Sequence, residues 1–246
     1  MQLLTTNSKL AKCEAFGYLA VGLELAPGKL AGRGEACPAR GDCYKTCIFS
    51  SGFGSMTSVR KARIDRHRFV IDTDHQPRFE AMMQLIDEIK ENQAKAQRKR
   101  LRLAVRLNTF SDYAWERMAP EVLGMFPHVQ FYDYTKVYER AVAFAEGKLP
   151  KNYHLVFSTS EHARLFQSDR ERLLRCGAFG RCVSVTDAVY EETKRMWAGG
   201  IDRLSNFVDG DVHDLTFLHK PGSIIVLSAK GKAGSRNPKP NKFLVH

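Results

Sequence analysis

The sequence predicts an α/β fold built on a largely parallel sheet or barrel, with a cysteine-rich loop after an early strand. Three observations carry this expectation. Short apolar runs alternate with helical segments along the whole chain, which is the pattern of strand–helix–strand units. Several of the runs end in small polar or charged residues, as strands do at the carboxyl edge of a parallel sheet, where ligands bind. Finally, the first strong apolar run is followed by CPARGDCYKTC, with three cysteines inside eleven residues.

The first candidate strand covers residues 18–25 and leads into the Gly-rich segment GRGEACPARGDCYKTCIFSSGFGSM. Residues 58–69 read as a helix with a basic face of Arg60, Lys61, Arg63, Arg66 and Arg68, expected to be solvated. Residues 77–100 read as the longest helix. Phe79, Met82, Met83, Leu85, Ile86 and Ile89 recur at spacings of three and four, the stripe of a crossover helix covering a core. Its end carries Lys90, Lys95, Arg98, Lys99, Arg100 and Arg102, partly as cations favour a helix C-terminus. Further strands are expected at 103–107, 129–134, 154–158, 181–185 and 223–227. Residues 230–246 form a basic tail without acidic residues.

At 246 residues, 43% apolar and 26% charged, the chain is long enough for one domain, expected to span 1–246. This composition excludes a disordered chain, a collagen or a disulfide-dense small scaffold. No run approaches eighteen apolar residues, so no membrane span is expected. The N-terminus lacks the basic and apolar regions of a secretory signal, which makes the cytoplasm the expected compartment. The net charge of +11 points to polyanions such as nucleic acid, or to an anionic cofactor or substrate, reached through the basic helices and tail.

The six cysteines are unevenly placed: Cys37, Cys43 and Cys47 together, Cys176 and Cys182 as a looser pair, and Cys13 alone. In a reducing compartment a disulfide framework is disfavoured. Cys37, Cys43 and Cys47 therefore read as metal or cluster ligands, or as redox thiols. Three thiolates fall one short of closing a zinc or a four-cysteine iron–sulfur site. The fourth ligand would be His67, His75, another cysteine or an exogenous molecule. A structural zinc site and metal-free thiols both stay open as alternatives, and Cys13, Cys176 and Cys182 are most economically buried thiols.

The motifs LLTTNSKLAK, YLAVGLELAPGKLAGRGEACPARGDCYKTCIFSSG, AVRLNTFSDYAWE, FPHVQFYDYTK, YHLVFSTSE and LSAKGKA resemble, in this order, a phage and prophage protein family. It is related to the gene-product-eighty-eight group of mycobacteriophages. The resemblance implies a compact relative of the radical S-adenosylmethionine fold, with partial-barrel (β/α) units after the cysteine loop. It matches Cys37, Cys43 and Cys47 to the family's cysteine motif, and Arg106, Asn108, Ser111 and Asp112 to its RLN–SD segment. It also matches Tyr132, Asp133, Tyr134, Thr135 and Lys136 to YDYTK, Ser158, Ser160 and Glu161 to FS-S-E, and Lys230 and Lys232 to AKGKA. The stretch from Cys176 to Arg203 departs from the shared pattern.

On this reading Cys37, Cys43 and Cys47 hold a [4Fe-4S] cluster with one open iron. Arg106, Asn108, Ser111, Asp112, Tyr134, Lys136, Ser158, Ser160 and Lys230 face a bound cofactor, S-adenosylmethionine being the implied one. Arg106 and Lys136 suit a carboxylate or phosphate, and Asp112 an ammonium or ribose hydroxyl. Each has a structural alternative: Asn108 and Asp112 as caps of a helix beginning near Tyr113, and Tyr132 and Tyr134 as core aromatics with wet hydroxyls. His128 and His154 are expected to be surface or satisfied core residues. The competing function is a phage nucleic-acid-binding protein whose cysteine loop holds zinc or a cluster for structure only, with basic helices and tail on phosphates. A small redox or scaffold protein of the virion is a third reading.

Overall fold

The order of strands in the sheet follows their order in the chain almost throughout. A computed structural model describes residues 1–158, 181–185, 191, 194–195 and 207–228. Its elements are β1 (Leu4–Thr5), α1 (Ser8–Ala11), β2 (Tyr18–Leu23), α2 (Thr57–Val70), α3 (His75–Arg98), β3 (Arg102–Arg106), α4 (Trp115–Met118) and α5 (Pro120–Met125). They continue as β4 (Gln130–Thr135), α6 (Tyr138–Ala145), β5 (Tyr153–Ser158), β6 (Arg181–Val185), β7 (Phe207–Asp209) and β8 (Ile224–Ser228). Among the described residues the strands lie in the order β1-β2-β3-β4-β5-β6-β8-β7. All neighbours pair in parallel except β1, which runs antiparallel to β2.

Every residue of β2, YLAVGL, is buried, as expected of a parallel strand covered on both faces. Leu19, Val21, Leu23, Leu103, Val105, Phe131, Tyr153 and Leu155 face an outer layer formed chiefly by α2 to α5. Tyr18, Ala20, Ala104 and Tyr132 face the other way, onto Leu10, Cys13 and Leu215, with Phe217 packed against them. A chain segment around residues 211–219, with a short 3-10 turn at Thr216–Leu218, thus returns to cover the inner face of the early strands.

All six expected strands are present within one or two residues, and both long helices lie where the periodicity placed them. β1 and β7 are two- and three-residue edge strands, too short to leave a period in the sequence. Two expectations for the helices are corrected. Phe79 and Met83 are 54% and 41% exposed, because α3 buries the stripe Ala81, Leu85, Ile86, Ile89 and Ala96 instead. On α2 the basic face is split. Arg60, Lys61 and Arg68 are exposed, whereas Arg63 and Arg66 are buried with His67. The basic residues ending α3 are exposed as expected. No helix among the described residues is long and apolar enough to cross a membrane.

Candidate functional site

The cysteine loop leaves the carboxyl end of β2 and is pinned by α2. Glu24, directly after β2, is buried and accepts from Arg63 Nε and Nη2, both at 2.8 Å. Arg63 also donates to the Phe49 carbonyl at 3.0 Å and lies over the Phe110 ring at 4.3 Å. Arg66 donates to the Glu24 carbonyl at 3.0 Å. His67 is fully buried, its Nδ1 2.9 Å from the Ala26 carbonyl and its Nε2 3.0 Å from the Tyr113 hydroxyl. Both ring nitrogens are thereby engaged with protein, so His67 braces the loop and is not the missing ligand. His75 is exposed at the start of α3.

Glycine shapes the loop at two points. Gly28 has φ +59°, and its carbonyl accepts from Ala36 at 3.0 Å, drawing the segment before Cys37 back toward β2. At Gly54 a Cβ would collide with the Phe49 carbonyl oxygen. Cys37, Cys43 and Cys47 are each half-buried, and none is in a disulfide. Burial pushes the Cys37 thiol up to about 12, with Asp112, Cys47 and Cys43 adding to the rise and a backbone hydrogen bond at Gly28 opposing it. Burial likewise raises Cys47 to about 11, together with Cys43 and against a backbone hydrogen bond at Phe49 and the charges of Lys136 and Arg63. The three sulfurs therefore share one electrostatic environment. Among the described residues no three His, Cys, Asp or Glu side chains stand in the arrangement needed to hold a single metal ion.

The segment after β3 closes over this loop. The Asp112 N–H donates to the Ala36 carbonyl at 2.7 Å, and the Cys37 thiol lies 3.4 Å from the Phe110 carbonyl. Asn108 is buried and ties its own turn: its Oδ1 accepts from Ser111 Oγ and from the Tyr113 N–H, both at 2.9 Å, and its Nδ2 donates to the Tyr113 carbonyl. The Asp112 carboxylate accepts from the Lys136 N–H at 2.8 Å and from Arg140 at 2.6 Å. Neither residue caps a helix, since α4 begins later, at Trp115, with Ala114 in the cap position. Asn108, Ser111 and Asp112 thus hold the β3 and β4 ends and the cysteine loop in register.

Beyond β4, the Lys136 ammonium donates to Ser158 Oγ at the end of β5. This pair and the cysteine loop occupy the same carboxyl edge, and the Lys136 charge reaches Cys47. Arg106 points to the inner face instead. Its Nη1 is 2.9 Å from Asp214, its guanidinium lies 4.6 Å from the centre of the Tyr134 ring, and Lys9 completes the pair with Asp214 at 3.0 Å. Tyr132 is fully buried and its hydroxyl donates to Asp214 at 3.2 Å. Burial works against the Asp214 carboxylate, but Arg106 and Lys9 hold it down at about 2. His128 is exposed. Ser160, Glu161, Lys230, Lys232, the Cys176 side of the late pair and the tail from 230 lie outside the described residues, as does the Cys182 side chain.

Sequence reasoning missed Glu24, Arg63, Arg140 and Asp214. A signal for the α2 residues was present: Arg63, Arg66, His67 and Val70 fall at i, i+3, i+4 and i+7, a stripe facing inward. Nothing local marks Asp214, whose side-chain partners are eighty or more residues away.

A parallel α/β protein with a cysteine-bearing carboxyl edge, braced by buried ion pairs, is the class these features define. The family model described as Gene product 88 matches residues 1–240, and the chain belongs to that family. No curated protein and no solved structure matches it.

Proposed function

We propose that this chain is a phage-type iron–sulfur protein acting as a radical S-adenosylmethionine-like enzyme, with Cys37, Cys43 and Cys47 ligating a [4Fe-4S] cluster. The observation that carries the reading is the setting of the thiols at the carboxyl edge. Cys37, Cys43 and Cys47 are unbridged, half-buried and held on one braced loop, close enough for Cys43 and Cys47 to act on Cys37. Burial keeps Cys37 and Cys47 protonated in the metal-free chain, so cluster binding would have to displace their protons. Cysteine thiols are the donor type that such a cluster takes, and His67 is excluded as a fourth ligand by its two internal contacts. When bound, such a cluster supplies an electron for cleaving a sulfonium cofactor.

The chain's own residues divide the remaining work. Lys136 and Ser158, paired at this edge, have the chemistry to take a carboxylate of the cofactor. Asn108, Ser111 and Asp112 set the height of the loop against β4, and Arg106 orients the inner face through Asp214. The near-sequential strand order supports the partial-barrel form of this fold, in which successive (β/α) units add side by side. The test is iron and acid-labile sulfide content of anaerobically purified protein beside Cys43→Ala. About four irons and four sulfides per chain, lost in the variant, are expected. About one zinc without sulfide would overturn the reading in favour of a structural site on a nucleic-acid binder.

A further inference from the structure

A cavity of about 280 Å³ opens on the inner face, near the amino ends of β5 and β8. His154 and Val156 of β5 and Ile225 of β8 form its floor, and Phe217, Thr216 and His219 come from the returning segment. Phe144 of α6 contributes a further aromatic wall, its ring centre 4.8 Å from that of His154. Ser158, which belongs to the cysteine-side edge, lies four residues further along β5 than His154, roughly 13 Å away. This site is therefore separate from the carboxyl edge and independent of the iron–sulfur reading.

Apart from Ser223, whose hydroxyl donates to the Lys220 carbonyl at 2.7 Å, the polar side chains of the cavity are not used up by the fold. Thr216 is 3% exposed, and its Oγ1 has no hydrogen-bond partner among the described residues. A buried hydroxyl left unpaired is unfavourable, which makes Thr216 a partner for a ligand atom in the cavity. Burial, reinforced by His219, lowers His154 to about 4, and burial with His213 lowers His219 to about 4. Both imidazoles are uncharged at neutral pH, each offering one donor and one acceptor. Lys220 stands exposed on the rim.

We propose that this cavity binds a planar heteroaromatic ring of nucleobase size. Phe144 and Phe217 furnish aromatic walls, His154, His219 and Thr216 pair with the edge of the ring, and Lys220 receives an anionic substituent such as a phosphate. The size suits the lower end of small-ligand sites, and mixed aromatic and polar walls are their usual lining. Isothermal titration calorimetry of the full chain with adenosine 5′-monophosphate and with adenine tests this. Saturable binding is expected, with a preference for the monophosphate that Lys220→Gln removes. Thr216→Val keeps the shape and removes only the hydroxyl, so it should weaken binding at least tenfold while raising the melting temperature of the unliganded protein. Binding should persist in Cys43→Ala. No saturable heat from either probe at millimolar concentration would overturn the proposal, as would Thr216→Val binding as well as the parent chain. Loss of binding in a folded Cys43→Ala chain would overturn the separateness of the site.

Discussion

Asp133 shows how a single carboxyl can work against its own ionisation. It is fully buried on β4 and accepts from the Asn108 N–H, Asn108 Nδ2 and the Tyr153 hydroxyl at 2.7, 3.0 and 2.7 Å. Burial nevertheless outweighs these bonds and raises Asp133 to about 7. An unfolded chain releases this proton near pH 4. Between about pH 4 and 7 the folded state therefore holds a proton that the unfolded state has lost, and the group's contribution to stability falls as pH rises. Asp133→Asn removes this slope. Urea midpoints at pH 5 and pH 8 should differ less in the variant than in the parent chain, and an unchanged difference would refute the assignment. Asp214 has the opposite sign. Its pairing contributes fully above about pH 4 and is lost as pH falls through about 2.

At the level of elements, α3 ends without the residue its geometry favours. Arg100 adopts φ 58°, and the Leu101 N–H reaches back to the Ala96 carbonyl at 2.9 Å, closing the helix in the manner usually reserved for glycine. A side chain in this left-handed conformation costs roughly 1 kcal/mol. Arg100→Gly should therefore raise stability by about 0.5–1 kcal/mol in urea unfolding, despite removing an exposed cation. The elements themselves were largely legible in the sequence, because buried parallel strands and a 24-residue helix leave strong periodic signals. The candidate site was legible as a set of residues, its thiols and the residues that follow β3, β4 and β5. What the sequence could not reveal was which of these residues bond to one another. Asn108 and Asp112 look like free ligands on paper, yet they are engaged by Ser111, Lys136 and Arg140, whose positions depend on how three strands align. The solvated reading of α2 failed for a related reason: Glu24 and the carbonyls of Ala26 and Phe49 supply acceptors that make an inward basic face stable.

On the scale of the whole molecule, Asp214 joins the late chain to the early chain. Its carboxylate engages Lys9, Arg106 and Tyr132, so one side chain links α1, β3 and β4 to the segment that covers them. Asp214→Ala leaves the Arg106 guanidinium partly buried without its partner, and a loss of about 3–5 kcal/mol is expected. Chemical denaturation measures the loss, and limited proteolysis should show new cleavage around residues 211–219. A loss below about 1 kcal/mol would mean that the apolar contacts of Leu215 and Phe217 hold the segment alone.

The order of the strands also bears on how the protein comes off the ribosome. From β1 to β5 each strand pairs with the one made just before it, so the sheet can grow one unit at a time during synthesis. Among the described residues, the Asp214 segment must wait to reach back across some two hundred residues, to Lys9. Until it arrives, the inner face carries two uncompensated cations and stays hydrated, so the nascent chain has a reason not to collapse there too early. Closure of the inner face is thereby tied to synthesis of residues 211–219.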